Sequence, residues 1–219
     1  RMTLYAKDYR QTAWKALSGK WGLFIGVTLL YSLISGACSM IPGVGSIASI
    51  IISGPLYLGV VIVGIRIIRN ERTKAGDMFE GFNQFGEAIL LQLVNGILVF
   101  LWSLLLIIPG IIKAYSYYMS TYILADNPGM SQSEARRKSE ELMIGNKFRL
   151  FCLHFSFFWW ILLSILTLGI LMIWVVPYMQ AADAAFYNDL VKDEREQKEE
   201  SEKDTIEQVE DIIQENIQF

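Results

Sequence analysis

Charge is what this chain has least of. Only 19% of its 219 residues are charged and 53% are apolar, whereas about a quarter of the residues of an ordinary soluble domain are charged. Asp, Glu, Lys and Arg are absent from residues 21–65, 88–112 and 150–182, which are runs of 45, 25 and 33 residues. Because a membrane-spanning helix needs about 20 apolar residues, the first and third runs are each long enough for two spans. The composition therefore indicates a membrane protein.

Residues that carry chemistry are equally scarce. The single histidine, His154, has no Cys, Asp or Glu at metal-ligand spacing, which argues against a zinc site. Cys38 and Cys152 lie inside apolar runs and are interpreted as small core residues rather than a disulfide or redox pair. No GxSxG, P-loop or GxGxxG motif occurs, and the short basic loops contain no nucleic-acid-binding module. We therefore expect no enzymatic activity, no metal, no cofactor and no nucleic-acid partner.

The apolar runs and their turn residues predict six membrane spans. Proline and glycine end helices for steric reasons, so we expect the three outer turns at Pro42-Gly43, Pro109-Gly110 and Leu168-Gly169. The predicted spans cover residues 21–41, 47–65, 88–107, 110–125, 150–168 and 170–188.

Basic residues orient these spans. Of the 19 Lys and Arg, 18 fall in residues 1–20, 66–87, 126–149 and 189–219, which the six spans place on one side. The positive-inside rule makes that side cytoplasmic, so both termini are expected there. Lys113 is the exception, and we expect its side chain to snorkel to the outer interface. Residues 1–20 then form a cytoplasmic amphipathic segment, 21–188 the transmembrane domain, and 189–219 a cytoplasmic tail.

Three glycines occur at a nearly constant interval. Gly19, Gly81 and Gly145 are 62 and 64 residues apart, and each follows a short polar-faced segment and precedes an aromatic residue at a predicted span. We expect each glycine to cap the preceding helix at its C-terminus. The spacing predicts three parallel hairpin repeats in an all-α, polytopic membrane helix bundle, with coincidence as the alternative.

Short cytoplasmic helices are predicted before two of the hairpins. Ser131 with Glu134 has the pattern of a capping box, and so does Asp77 with Glu80. The helix over residues 131–144 separates a basic side from one that carries Ala135, Ser139, Leu142 and Met143. Such a helix lies in the membrane interface or forms a solvated connector, and the sequence leaves both interpretations open.

A polar stripe follows one face of the fourth predicted span at the i, i+3, i+4, i+7 spacing of a helix. Polar residues on the third and sixth spans are expected to turn towards it. The set is Lys113, Ser116, Tyr117, Ser120, Gln92, Asn95, Gln180 and Asp183. These residues line a polar groove or make hydrogen bonds between helices, and both interpretations stay open. Asp183 is expected to pair with Arg149 or Lys147 near the inner surface.

The last 31 residues are strongly acidic. Residues 189–219 carry 12 acids and 4 bases, a net charge of −8, and Glu194-Lys198 and Glu199-Lys203 have the favourable i,i+4 order of a helix. An apolar stripe at its end, formed by Ile206, Val209, Ile213 and Ile217, predicts docking against a partner helix or the protein's own basic loops. Deleting residues 190–219 should then disturb complex formation. A frayed, solvated tail is the alternative.

Five segments of the sequence are distinctive: Ile-Pro-Gly-Ile-Ile-Lys at 108–113, Tyr-Ile-Leu-Ala-Asp-Asn-Pro at 122–128, Ser-Glu-Ala at 133–135, Met-Ile-Gly-Asn-Lys at 143–147, and Val-Pro-Tyr-Met-Gln-Ala at 176–181. In these segments the chain resembles a bacterial membrane-protein family of unknown function that is common in Gram-positive bacteria. The resemblance covers roughly residues 3–190. The chain is also distantly similar to the membrane domain fused to some glycerophosphodiester phosphodiesterases. The family implies no assigned activity.

These features favour a non-enzymatic accessory protein of the bacterial cell membrane that acts through a partner protein or membrane lipids. The alternative is a small-solute transporter or substrate-binding membrane subunit that uses the polar stripe. Small residues at Ser18, Gly22 and Gly26 serve helix packing within the chain or in a homodimer, and the sequence leaves this open.

Overall fold

Helices form nearly all of the chain that the structure, a computed structural model, describes. It describes residues 5–40 and 45–217, and within them no side chains at 45–47, 200–202, 204, 205 and 207–217. The α-helices are α1 Ala6–Leu17, α2 Trp21–Ser39, α3 Gly45–Ile68, α4 Phe85–Leu105, α5 Ile107–Tyr117, α6 Ser120–Asp126, α7 Gln132–Leu142, α8 Lys147–Ser156, α9 Phe158–Leu166 and α10 Met172–Ile217, with a 3-10 helix at Ala75–Gln84. Two compact units are formed, one up to Tyr187 and one from Asn188 onwards. The all-helical prediction is confirmed over the described residues.

The C-terminal half of α3 is the centre of the first unit. A helix that is apolar on all sides is stable only when other elements surround it. Its buried residues are Leu56, Leu58, Val60, Val61, Ile62, Val63, Ile65 and Ile67. Helices α1, α2, α4 and α6 and the 3-10 helix all pack against α3.

The 3-10 helix approaches α3 backbone to backbone through two glycines. A Cβ atom on Gly59 would lie 1.6 Å from the Met78 carbonyl oxygen, and one on Gly81 would lie 2.0 Å from the Pro55 carbonyl oxygen. The predicted helix-capping role of Gly81 is therefore wrong, because this residue lies inside the 3-10 helix and serves close packing. Gly19 and Gly145, with φ of +81° and +75°, do adopt the left-handed conformation expected of capping glycines.

Two of the three predicted outer turns lie within the described residues. Leu168 and Gly169 form a turn with φ of 52° and 85°, as predicted. Pro109-Gly110 does not form one, because the chain turns at Leu106 (φ −162°, ψ 142°) and both residues belong to the first turn of α5. Proline is tolerated there because its missing N–H would have no partner in a first turn. Pro42-Gly43 lies outside the described residues.

One of the two predicted capping boxes is confirmed. The Ser131 amide donates to Glu134 Oε2 at 3.1 Å and the Glu134 amide donates to Ser131 Oγ at 3.4 Å. The Ser131 hydroxyl also donates to Glu134 Oε2, at 2.8 Å, and this hydrogen bond together with that of the Ser131 amide lowers the pKa of the Glu134 carboxyl. The second box is wrong, because the 3-10 helix begins earlier and Lys74 occupies the cap position, its amide donating to Asp77 at 2.9 Å. Glu80 instead accepts two hydrogen bonds from Arg66, at 2.8 and 2.7 Å.

Within the described residues, four helical segments are long and apolar enough to cross a membrane. They are Trp21–Ser39, Ala48–Ile68, Ala75–Leu105 and Lys147–Leu166. The predicted spans 110–125 and 170–188 are not among these four. The first is divided between α5 and α6, and the second carries the polar residues Gln180 and Asp183.

The second unit is described by its helical backbone. Lys198 Nζ donates to Glu194 Oε1 at 2.6 Å, which confirms the predicted i,i+4 pair. Ile206 is 53% exposed. The side chains of Val209, Ile213 and Ile217 lie outside the described residues, so docking by the apolar stripe stays a prediction.

Replacing Gly59 by alanine should test the close approach of the 3-10 helix to α3. The added methyl group would overlap the Met78 carbonyl group, so we expect Gly59→Ala to destabilise the protein by about 3 kcal/mol. Thermal unfolding in detergent measures the change.

Gly26→Ala is the matched control, because a Cβ atom there meets nothing within 4 Å. Its effect should not exceed about 1 kcal/mol, the intrinsic helix-propensity difference between the two residues. Equal stability of the two variants would contradict the close approach.

Candidate functional site

A cavity of about 500 Å³ lies among α2, α3, α4, α5 and α6. Its apolar wall includes Leu58, Leu91 and Val99. The polar residues in its wall are Tyr31, Ser53, Tyr57, Gln92, Asn95, Tyr117, Tyr118 and Thr121. No Asp, Glu, Lys, Arg or His is found among the residues that line it. The cavity thus combines an apolar wall with uncharged hydrogen-bonding groups.

The structure divides the predicted polar groove. Gln92, Asn95 and Tyr117 line the cavity. The remaining five predicted residues, Lys113, Ser116, Ser120, Gln180 and Asp183, are not among its lining residues. Gln180 Oε1 lies 3.3 Å from the Thr28 hydroxyl, a contact between α10 and α2. The predicted set therefore includes three residues of the cavity wall and five residues that lie elsewhere.

The two serines of the stripe make hydrogen bonds to backbone. Ser116 Oγ donates to the Ile112 carbonyl at 2.9 Å, and Ser120 Oγ donates to the Tyr117 carbonyl at 2.5 Å. Both residues are buried. Ser139 of α7 donates to the Ser116 carbonyl at 2.7 Å, and Asn95 donates to Ser120 Oγ at 2.8 Å. These residues join helices, as the packing interpretation of the stripe expects.

Lys113 pairs with a carboxylate of α7, and its extension to an outer membrane interface stays a prediction. Its ammonium group lies 2.7 Å from Glu140 Oε1 of α7 and within 5.6 and 5.5 Å of the Trp102 and Tyr117 rings. The C-terminal part of α7 therefore lies beside α5. The Glu140 carboxylate and the two aromatic faces stabilise the Lys113 ammonium group at this position.

Asp183, an acidic residue near the cavity, is buried and only 3% exposed. Its Oδ2 accepts a hydrogen bond from the Tyr118 hydroxyl at 2.7 Å, and its Oδ1 lies 3.0 Å from His154 Nε2. The predicted pairing with Arg149 or Lys147 is wrong. Arg149 donates to Asn146 Oδ1 at 2.7 Å and to the Tyr9 hydroxyl.

His154 bridges Asp183 and a second tyrosine. Its Nδ1 lies 3.4 Å from the Tyr115 hydroxyl and its Nε2 lies 3.0 Å from Asp183 Oδ1. Sequence reasoning missed this cluster because the partners are distant in the chain. The feature of the sequence that His154 and Asp183 share is that each is a titratable residue within or directly after a long apolar run.

Tyr118 connects the cluster to the cavity. It lines the cavity wall, and its hydroxyl donates to Asp183. A buried carboxylate is costly unless donors satisfy it, and Tyr118 and His154 supply one to each oxygen. The Asp183 carboxylate is therefore not part of the cavity wall, but the hydrogen bond from Tyr118 joins it to that wall.

Metal chemistry finds no support in the part of the chain that the structure describes. No group of three or more His, Cys, Asp and Glu there is arranged to hold an ion. Cys38 and Cys152 are not joined in a disulfide.

Charged pairs fasten the loops next to the site. Arg69 makes two hydrogen bonds to Asp126, at 2.5 and 2.8 Å, and Tyr187 donates to the same carboxylate at 3.1 Å. The hydrogen bond that Arg69 donates to Asp126 raises the pKa of its guanidinium. These contacts join the ends of α3 and α6 to α10.

Fold and site together define a helical membrane protein with four candidate spans and a polar cavity between its helices. The chain belongs to the family described as "Protein of unknown function (DUF975)", which it matches at residues 2–116 and 103–194. The resemblance to an uncharacterised family is thereby confirmed. No curated protein and no solved structure matches the chain.

Removing the Tyr118 hydroxyl should test whether the Asp183 carboxylate depends on it. Tyr118→Phe leaves one carboxylate oxygen without its donor at 2.7 Å, and we expect a loss of about 2 kcal/mol in the free energy of unfolding. Tyr115→Phe is the control, because its hydroxyl makes only a 3.4 Å contact and its loss should cost less than about 1 kcal/mol. A Tyr118→Phe protein as stable as Tyr115→Phe in detergent unfolding would refute the assignment.

Proposed function

We propose that the chain is a non-enzymatic accessory protein of the bacterial cell membrane that holds a membrane amphiphile in the cavity between α2 and α6. The observation that carries this proposal is the cavity itself, with its apolar wall and uncharged hydrogen-bonding groups. Ligand sites are typically concave, mostly apolar and equipped with a few polar groups. An amphiphile matches both parts of this wall.

The proposed topology is six spans in three parallel hairpins, with both termini in the cytoplasm. Large exposed apolar side chains support it, because they concentrate in residues 29–51, 90–112 and 155–174, around the ends of the three helix pairs. Leu105 is 73% exposed and Leu168 is 93% exposed, a surface that suits hydrocarbon and not water. The order of a short helix, a long helix and a returning helix is intact at α1, α2 and α3. In the second group the returning part is divided between α5 and α6, and in the third the long part is divided between α8 and α9.

The cavity has a route of entry on the side of α4. Gln92 and Gly96 line it and are exposed, whereas Ala88 and Leu91 in the same wall are buried. The exposed neighbours Leu93 and Ile97 of α4 present apolar surface beside this opening. A molecule dissolved in the bilayer would therefore enter sideways.

Filling the cavity should abolish amphiphile binding. A Cβ atom at Gly96 meets nothing within 4 Å, so Gly96→Phe adds a ring at the cavity wall without a backbone clash. We expect this variant to lose the amphiphile that native mass spectrometry detects on the gently extracted wild-type protein, at least about tenfold in occupancy.

Gly36→Phe is the matched control. Gly36 is an exposed residue of α2 outside the cavity wall, and a Cβ atom there also meets nothing within 4 Å. Equal occupancy in the two variants would remove the support for the proposed function.

The second candidate is a small-solute transporter or substrate-binding membrane subunit. The buried contact of His154 with Asp183 favours it, because ionisable residues inside a membrane commonly mark ion or proton pathways. If sealed vesicles that contain the protein take up a solute and Asp183→Asn abolishes this uptake, the protein is a transporter and not an accessory protein. Retained uptake in that variant would rule out this use of the pair.

A further inference from the structure

Lys113 and Glu140 form an accessible charged pair on an apolar surface of the first unit. Lys113 Nζ lies 2.7 Å from Glu140 Oε1, and the two side chains are 31% and 38% exposed. The apolar residues next to Lys113 are exposed as well, namely Ile111 and Ile112 of α5 and Trp102 of α4. A molecule outside the protein can therefore touch both charged groups and the apolar surface around them.

The position of Lys113 along α5 makes this exposure unusual. Lys113 is the sixth residue after Ile107, where α5 begins, so its Cα lies about 9 Å along the helix from that end. In the proposed topology this end lies on the outer side, and the hydrocarbon layer is roughly 30 Å thick. Exposed charges at such a depth are costly, and they usually have polar partners.

Helix α7 brings Glu140 to this position. The amide of its first residue, Gln132, donates to Glu87 Oε2 at the start of α4, at 2.5 Å. Ser139, near its other end, donates to the Ser116 carbonyl of α5 at 2.7 Å. Helix α7 therefore extends from the start of α4 to the middle of α5. In the proposed topology this is a path from the cytoplasmic surface into the membrane, along which a lipid head group can follow polar side chains.

Two opposite charges side by side favour a zwitterionic ligand. An ammonium group has three N–H donors, so the hydrogen bond to Glu140 leaves Lys113 donors for a phosphate. A carboxylate accepts at both oxygens, so Glu140 can accept from a second ammonium group. A ligand with a phosphate alone would be attracted by Lys113 and repelled by Glu140, only 2.7 Å away from the Lys113 nitrogen. A phosphate and an ammonium group on one molecule match both charges.

We propose that Lys113 and Glu140 bind the head group of a phospholipid with a primary ammonium group, the phosphate on Lys113 and the ammonium on Glu140. Phosphatidylethanolamine has this head group, whereas the methylated ammonium of phosphatidylcholine has no N–H to donate. Lys113 then faces the cytoplasmic leaflet and not the outer interface. Neither residue is among those that line the cavity. The inference therefore goes beyond the proposed function and shares with it the proposed position in the membrane.

The lipids retained by the full-length protein measure this selectivity. The protein is placed in phosphatidylcholine nanodiscs that contain equal fractions of phosphatidylethanolamine and phosphatidylglycerol with identical acyl chains. Native mass spectrometry then gives the ratio of these two lipids on the released protein. We expect phosphatidylethanolamine to exceed phosphatidylglycerol about tenfold, as the gain of one charge-assisted hydrogen bond and the absence of repulsion imply.

Glu140→Gln should give a result that misfolding cannot imitate. The variant loses the negative charge and leaves Lys113 as a cation without its carboxylate, so the preference should invert in favour of anionic phosphatidylglycerol. Glu141→Gln is the matched control, because it removes the next carboxylate of the chain, which pairs with Arg137 at 3.8 Å in a well-exposed position. This control should retain the preference of the wild-type protein.

The outcomes separate this site from the cavity. Equal retention of the two lipids by the wild-type protein, or an unchanged preference in Glu140→Gln, would overturn the inference. A preference for phosphatidylethanolamine that Gly96→Phe abolishes would assign the lipid to the cavity, which supports the proposed function and overturns the site at Lys113. A preference that survives Gly96→Phe and inverts in Glu140→Gln supports the site.

Discussion

A carboxylate buried among apolar helices must be given hydrogen-bond donors, and the arrangement of the first unit follows from this requirement at Asp183. The side chain is 3% exposed, and Tyr118 and His154 each satisfy one of its oxygens. Because Tyr118 lies at the junction of α5 and α6 and His154 lies on α8, these two contacts hold α10 against two other parts of the bundle. The same hydrogen bond joins Asp183 to Tyr118, a residue of the cavity wall.

The central position of α3 provides the frame in which that cluster can form. Its C-terminal half is buried on all sides, and the 3-10 helix lies so close to it that only glycine fits at positions 59 and 81. Arg66 then holds the 3-10 helix through Glu80, and Arg69 holds the end of α6 through Asp126. Apolar burial and close backbone contact give the tight packing around α3, and the two arginines fix the positions of the neighbouring elements.

The parts of the structure that could be predicted are those encoded within a few neighbouring residues. The left-handed glycines at 19 and 145, the turn at Leu168-Gly169 and the capping box of Ser131 depend on local backbone geometry. Pro109 misled the prediction because a proline in a first helical turn and a proline in a loop have the same neighbours in sequence. The contacts of Lys113 with Glu140 and of His154 with Asp183 could not be predicted, since 27 and 29 residues separate the partners. Helical periodicity found Gln92, Asn95 and Tyr117 but could not tell which polar neighbours face a cavity and which face a helix.

What distinguishes a ligand site from polar contacts between helices is the state of the hydrogen-bonding groups. Ser116, Ser120 and Ser139 direct their hydroxyl groups at backbone carbonyls, which is sufficient for helix packing. Asn95 donates its amide nitrogen to a side-chain hydroxyl, that of Ser120, while its amide oxygen is buried without a hydrogen-bond partner. A leucine at this position would pack against the neighbouring helices without leaving such an atom. Helix packing therefore accounts for the hydroxyl groups of the three serines but not for the unpaired Asn95 oxygen.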